Sequence, residues 1–237
     1  MILTAHQPAY LPWLGLFHKI ALADRFISYD QVKHARYDWS GKNKILGSSG
    51  PVWLIVPCKK AGRAEQMIFE LEIDNSIPWG RKHWNSIRFN YSKSPYFRHY
   101  ADFFEQTYAR EWALLNELNT YMLRWFLAEL GIKVPVESAG NYDFHGQKSA
   151  MVLDMCRQLG ASVFIFGAQG RDYADVAAFN AANIKTVFQD YVHPVYPQKY
   201  PGFTSNLSII DLMFNCGADS LEILMRGNLN RMELCHA

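Results

Sequence analysis

The first thirty residues predict a β-α-β unit, which constrains the fold more than any other part of the chain. Short apolar runs at residues 2–5 and 26–29 are typical of buried strands. Between them, apolar residues recur at helical spacing over residues 14–23. A connection of this length favours two parallel strands joined by a right-handed crossover. We therefore expect an α/β fold with a mostly parallel sheet and flanking helices.

The rest of the chain continues this pattern around a block of helices. Helices are predicted at residues 79–91, 95–110, 112–131, 147–159, 173–182 and 208–215. Further strands are predicted at residues 52–56, 67–73, 134–137, 163–166 and 186–189. The strands at 52–56 and 67–73 are expected to pair as a hairpin, after a long polar loop. We expect one domain over residues 1–237, with a helical insertion at about 78–131.

Composition excludes several classes of protein. Hydrophobic residues make up 49% of the chain and charged residues 19%, which argues for a packed core and against disorder. The net charge is +2 without a long basic run, so nucleic acid is not an expected partner. No apolar run approaches the roughly 18 residues that span a bilayer. We expect a cytoplasmic protein without a membrane span. Its four cysteines have no metal-like spacing and are expected to stay reduced.

Polar and aromatic residues are concentrated where the first predicted strand ends. In α/β proteins this edge of the sheet is where ligands bind. His6 is the first candidate catalytic residue, because imidazole can accept a proton near neutral pH or donate to an oxyanion or phosphate. The candidate binding residues here are Gln7, Tyr10, Trp13 and Lys19. The alternatives are a proline-rich connection with packed rings, and a solvated Lys19.

Two further regions supply candidate residues. Asp30 follows the second predicted strand and is a candidate general base. Lys42 and Asn43 lie in the polar loop of residues 30–51 and are candidates for binding a diphosphate, the alternative being a solvated basic loop. Gly167 and Tyr173 are candidate ligand-binding residues at a turn from strand to helix, where backbone N–H groups can hold phosphate. That turn matches no established phosphate-binding motif.

A second polar and aromatic segment, residues 193–198, also alternates rings with prolines. The candidates there and just beyond are His193 for catalysis and Tyr196, Gln198, Asp211 and Asn215 for binding. The last two lie four residues apart on one face of a predicted helix, from which they reach either a ligand or a neighbouring loop. We expect this segment and the His6 connection to converge on one pocket. No spacing of metal-ligating residues indicates a metal site.

The chain opens with the pattern His-Gln-Pro-x-Tyr-x-Pro-Trp-x-Gly-x-Phe-x-Lys-Ile from residue 6 and in this resembles the WbqC-like family. Similar segments follow at residues 23–30, 41–45, 53–57, 193–198 and 208–217. Members of this family occur in gene clusters for O-antigen and other surface polysaccharides. The resemblance implies transfer of glycine, or a related amino acid, onto the amine of a nucleotide-linked sugar. Lys42 is a departure, since Arg is expected there in many members.

Such an N-aminoacyltransferase needs a base for the attacking amine and donors for the oxyanion. His6 or Asp30 is the expected base, and Gln7, His193 or backbone N–H groups are the expected donors. Lys42 is expected to bind the diphosphate. The implied partners are a nucleotide-linked amino sugar and an acyl donor, while the cofactor stays unknown, with an activated acyl donor or ATP both open. Two alternatives are a non-catalytic sugar-nucleotide or glycan-binding protein, and an adenylate-forming or nucleotidyl-transferring enzyme. The sequence leaves the oligomeric state open.

Overall fold

The computed structural model describes residues 1–34, 39–59 and 66–236. The strands in these ranges are β1 (Ile2–His6), β2 (Arg25–Ser28), β3 (Lys42–Gly47), β4 (Gly50–Ile55), β5 (Val136–Ser138), β6 (Val163–Phe166) and β7 (Lys185–Phe188). Five of them form a sheet in the order β5-β2-β1-β6-β7, and every pair in it is parallel. The predicted α/β fold with a mostly parallel sheet is therefore confirmed.

Helices cover this sheet. They are α1 (Leu14–Leu22), α2 (Trp79–Tyr91), α3 (Phe97–Ala109), α4 (Leu115–Glu129), α5 (Ser149–Leu159), α6 (Val176–Ala181), α7 (Ile209–Cys216), α8 (Ser220–Met225) and α9 (Arg231–His236). Alternate residues of β2 face opposite apolar layers. Phe26 packs in the layer that contains α1, α4 and α7, whereas Ile27 packs in the layer that contains α5. Within the described residues, no helix is both long and apolar enough to cross a membrane.

The order of the strands reverses at β1, because β2 and β5 lie on one side of it and β6 and β7 on the other. Such a switch point is where open α/β sheets bind ligands. The register also sets a polar row across the carboxyl edge of the sheet. His6 pairs with Ser28, and Ser28 pairs with Ser138. Paired residues of neighbouring strands point to the same face, so these three side chains lie side by side.

The hairpin differs from the prediction. β3 pairs with β4, so the loop predicted at residues 30–51 contains a strand, and Lys42 and Asn43 belong to it. Residues 67–73 form a short 3-10 turn and isolated bridges instead of the partner strand. The prediction was wrong because Asn43 is polar although it lies on the buried face of β3, so the alternation of polar and apolar residues is interrupted. Gly50, with a φ of 111°, completes the tight turn that brings the two strands together.

Helices α2, α3 and α4 follow one another between β4 and β5, where the helical insertion was predicted. They share an apolar core with the α/β part of the chain. Phe126 of α4, for example, packs against Phe17 of α1 with ring centres 5.8 Å apart, and Phe104 of α3 lies 6.2 Å from Phe126. The boundary of a single domain at 1–237 stays a prediction.

Candidate functional site

A cleft of about 660 Å³ opens at the carboxyl edge of β2 and β5, below α4. Ser28, Asp30 and Ser138 contribute from the sheet side, and Asn116 and Thr120 contribute from α4. This volume is typical of a small-molecule site. The polar row of His6, Ser28 and Ser138 lies at the same strand ends, and two of its members, Ser28 and Ser138, line the cleft.

A narrower pocket joins the cleft to the end of β1. Gln7 and Ala9 line it from the connection after β1, and Asn119 lines it from α4. The pocket and the cleft share Ser28 and Thr120. The two spaces are therefore neighbours, and a ligand in the cleft lies beside the residues that follow β1.

Asp30 is fixed by hydrogen bonds in the cleft, where only 2% of its surface is exposed. Its Oδ2 accepts from Ser138 Oγ at 2.8 Å and from Asn116 Nδ2 at 3.0 Å, and its Oδ1 accepts from Gln31 Nε2 at 3.3 Å. Because donors already occupy both oxygens, this carboxylate is better placed to orient a bound group than to remove a proton from it.

Two buried amide oxygens at the site have no hydrogen-bond partner among the described residues, namely Oδ1 of Asn116 and Oδ1 of Asn119. Their Nδ2 groups are committed, to Asp30 in the first case and to the carbonyl of Ser40, at 2.8 Å, in the second. This fixes the orientation of both amides. Unpaired buried acceptors are uncommon, so the site suits a ligand that brings N–H or O–H donors.

His6 and Lys19 lie together at the end of β1. Lys19 projects from α1, is 3% exposed, and donates from Nζ to the carbonyl of Ala5 at 2.9 Å. Burial lowers the pKa of Lys19 to about 7. Burial, followed by the charge of Lys19, lowers the pKa of His6 to about 4, despite the opposing hydrogen bond to Gln7. His6 is therefore neutral at physiological pH.

The hydrogen bond of His6 also fixes which ring nitrogen can accept a proton. Nδ1 lies 2.7 Å from the carbonyl oxygen of Gln7, which can only accept, so Nδ1 carries the hydrogen. Nε2 then has a free lone pair, and within the described chain it makes no hydrogen bond. His6 neighbours Ser28 in the sheet, and Ser28 lines the cleft. A neutral imidazole in this position can act as a proton acceptor.

Aromatic rings and arginines form the outer wall of the cleft. None of these wall residues is a predicted site residue. Trp125 stacks on Phe103 with ring centres 3.7 Å apart, and the guanidinium of Arg110 lies 4.0 Å from the centre of the Trp112 ring. All four residues line the cleft, as does Arg124. The available signal was an apolar stripe over residues 112–130 that includes Trp112 and Trp125, and such a stripe also fits a purely structural role.

Tyr10 and Asn43 support the connection after β1 from the core side. The hydroxyl of Tyr10 contacts His83 Nδ1 at 2.8 Å and the hydroxyl of Tyr108 at 2.5 Å, and the residue has no exposed surface. Asn43 is also buried and donates from Nδ2 to the carbonyl of Leu11 at 2.6 Å. Both candidate binding residues therefore position the connection and do not line the cleft.

Three other candidates lie outside the cleft. Lys42 projects from β3, with Nζ 5.9 Å from the centre of the Trp53 ring. Gly167 and Tyr173 follow β6, on the opposite side of β1 from the cleft. The ring of Tyr173 packs against Phe166 with centres 6.0 Å apart and is partly exposed.

The two polar and aromatic segments touch through Trp13. Its ring meets Tyr191 edge-on at 5.4 Å, and the ring of Tyr191 lies 6.2 Å from that of His193. His193 does not line the cleft. Its Nδ1 lies 3.1 Å from the carbonyl of Pro194, and burial lowers the pKa of His193. The convergence of His6 and His193 on one pocket stays a prediction.

Asp211 is fully buried and ties the second segment to α2. Its carboxylate accepts from Tyr91 at 2.8 Å, from Tyr196 at 3.0 Å and from Gln198 at 2.8 Å. Burial raises the pKa of Asp211, although these hydrogen bonds oppose the shift. Asn215 donates to the backbone carbonyl of Asp211 at 2.7 Å. Asp211 therefore contacts neighbouring segments of the chain, whereas Asn215 bonds within α7, and a role of either residue in ligand binding stays a prediction.

The chain is thus an α/β protein with a polar cleft that has an aromatic wall and lies beside the switch point of the sheet. The chain belongs to the WbqC-like protein family, whose model matches residues 7–223, so the resemblance seen in the sequence is confirmed. It is similar to the uncharacterized protein Rv1507c of Mycobacterium tuberculosis (strain ATCC 25618 / H37Rv), with 34% identity over 220 residues. That alignment covers 92% of this chain and 95% of the relative. No solved structure matches the chain.

Proposed function

We propose that this protein transfers an aminoacyl group, such as glycyl, to the amine of a nucleotide-linked amino sugar in surface-polysaccharide biosynthesis. The observation that carries the proposal is the state of His6, a neutral imidazole whose Nε2 makes no hydrogen bond within the described chain and whose sheet partner Ser28 lines the cleft, although His6 itself does not. Attack by an amine requires such a proton acceptor. The resemblance of the chain to the WbqC-like family supplies the class of substrate.

In the proposed reaction, the neutral sugar amine attacks the acyl carbon of an activated donor. A carbon–nitrogen bond forms, the bond from the acyl carbon to the leaving group breaks, and the nitrogen loses one proton. Nε2 of His6 accepts this proton and returns it to the leaving group. The charge of Lys19 disfavours protonation of His6 and so keeps its imidazole neutral in the free enzyme. Gln7, which lines the narrow pocket, is the proposed donor to the oxyanion.

The cleft supplies a reason for choosing a sugar as the acceptor. Sugar hydroxyl and amine groups are donors, and the cleft offers the carboxylate of Asp30 and the unpaired Oδ1 of Asn116 as acceptors. On the opposite wall, the exposed ring of Tyr121 and the half-buried ring of Trp125 provide apolar contact area. A binding site of this kind combines apolar contact area with a few oriented polar groups.

The test is a product assay by mass spectrometry. Purified protein is incubated with free and nucleotide-linked amino sugars, and with either glycyl thioester or glycine and ATP. An acylated sugar from the thioester supports direct transfer, and an acylated sugar that forms only with ATP, together with AMP, supports transfer coupled to adenylation. Tight binding of a sugar without product in any arm contradicts the proposal and supports a non-catalytic binding protein. AMP or a nucleotide product without acylated sugar also contradicts it, in favour of nucleotidyl chemistry.

A further inference from the structure

The β3–β4 hairpin presents an exposed aromatic and basic face outside the cleft. In its register, Lys44 pairs with Trp53 and Lys42 pairs with Ile55. Side chains paired across an antiparallel ladder share a face, so these four residues project together. Trp53 is 47% exposed and Ile55 is 58% exposed. The buried residues on the opposite face are Asn43, Ile45 and Leu54.

Trp39 extends this face into a larger patch. Its ring stacks on that of Trp53, with centres 5.6 Å apart and an interplanar angle of 25°, and the residue is 49% exposed. Nζ of Lys42 lies 5.9 Å and Nζ of Lys44 lies 5.7 Å from the centre of the Trp53 ring. We call Trp39, Lys42, Lys44 and Trp53 the tryptophan–lysine patch. It brings two flat rings and two ammonium groups together at the surface.

The patch is connected by hydrogen bonds to the narrow pocket beside the cleft. The carbonyl of Trp39 accepts from the backbone N–H of Tyr10 at 3.2 Å, and the carbonyl of Ser40 accepts from Asn119 Nδ2 at 2.8 Å. Asn119 and Ala9, the residue before Tyr10, both line the narrow pocket. The segment that carries Trp39 is therefore hydrogen-bonded to two elements that form this pocket.

We propose that the tryptophan–lysine patch binds a nucleoside diphosphate group, with the base stacked on the tryptophan rings and the diphosphate held by Lys42 and Lys44. Nucleobases stack on aromatic side chains regardless of base identity. Ammonium groups bind phosphate as point charges. Neither rings alone nor lysines alone would select such a ligand, whereas their juxtaposition does. This inference rests on the proposed function, because it assigns the patch to the nucleotide carrier of the amino sugar.

The test is calorimetry at low salt with four probes, namely uridine diphosphate, guanosine diphosphate, inorganic pyrophosphate and uridine. We expect both diphosphates to bind at least about tenfold more tightly than pyrophosphate or uridine, because only they engage rings and cations together. Trp53→Ala and Lys44→Ala should each weaken diphosphate binding by about tenfold or more. The loss in Lys44→Ala should shrink at high salt, where screening removes its charge effect. Lys42→Arg should keep the affinity.

Matched controls are Phe89→Ala, an exposed aromatic on α2, and Lys133→Ala, an exposed lysine beyond α4. Both should bind within about twofold of wild type. Trp53→Phe keeps a ring and should restore much of the affinity if Trp53→Ala fails to fold. The inference is wrong if wild type binds no nucleoside diphosphate, or if patch and control variants lose affinity equally. These binding assays need no turnover. If the protein forms acylated sugar but has no affinity for nucleotides, the inference about the patch is refuted and the proposed acyl transfer is not.

Discussion

Replacing Lys19 by methionine tests the electrostatics of the site through stability alone. Lys19 is a lysine with almost no exposed surface, held by one hydrogen bond to the carbonyl of Ala5. Its pKa is about 7 in the folded protein, against an ordinary value of 10.5. Between these two pH values the unfolded chain binds more protons than the folded chain, so stability rises with pH across this window. The free-energy cost of burying this amine is therefore largest at pH 7 and below.

The magnitude follows from the two pKa values. From pH 7 to pH 8.5, titration of Lys19 should raise the free energy of unfolding by about 1.5–2 kcal/mol. At pH 7 burial of the Lys19 amine lowers the free energy of unfolding by about 4 kcal/mol. Replacing Lys19 removes this cost but also loses the hydrogen bond to Ala5, which offsets about 1–3 kcal/mol of the gain in stability. Lys19→Met should therefore be more stable than wild type at pH 7, by about 1–3 kcal/mol, because methionine retains most of the buried volume.

The assay is urea unfolding of wild type and Lys19→Met at several pH values across this range. The difference in stability between the two proteins should shrink as pH rises, because other titrating groups contribute equally to both. Lys133→Met, at an exposed lysine, is the control and should show neither effect. Parallel pH dependences for wild type and Lys19→Met, or a strongly destabilised variant at every pH, would refute the burial of the Lys19 amine.

Two further substitutions separate the cleft from its support. Asp30→Asn should raise the KM for the amino sugar by about 10- to 100-fold in steady-state assays, because the cleft loses a charged acceptor held by Ser138; an unchanged KM would place the sugar elsewhere. Tyr10→Phe should lower the free energy of unfolding by about 1–2 kcal/mol in urea titrations while activity per folded molecule stays within a few-fold, because among the described residues the Tyr10 hydroxyl bonds only His83 and Tyr108. A stable but inactive Tyr10→Phe protein would contradict this assignment.

The central sheet could be predicted because its strands are short apolar runs with clear ends. For example, β6 has its predicted bounds, residues 163–166, and helix α2 also has its predicted bounds, residues 79–91. β3 could not be recognised in the same way, because Asn43, on its buried face, is as polar as Lys42 and Lys44 beside it, and the three make the segment look like a polar loop. Its identity as a strand depends on pairing with β4, which periodicity in β3 alone does not reveal.

The candidate site was predicted in part. The position of His6 at a strand end follows from local pattern, but the burial of Lys19 depends on how α1 packs against the sheet. The hydrogen bonds of Asp211 could not be predicted, because its partner Tyr91 lies 120 positions away in sequence. The aromatic wall of the cleft was overlooked because rings such as Trp125 fit both a core and a binding surface. Whether such a ring lies in the core or at a binding surface depends on long-range packing, which residue spacing does not encode.

The most direct test of the proposed reaction compares two histidine variants in one assay. His6→Gln and His193→Gln replace half-buried imidazoles, but only His6 lies beside the cleft in the sheet register. We predict that kcat/KM for acyl transfer to the amino sugar falls by about 100-fold or more in His6→Gln, the usual contribution of a general base. His193→Gln should stay within about threefold of wild type. Equal losses in the two variants, or full activity in folded His6→Gln, would contradict a reaction centred on His6.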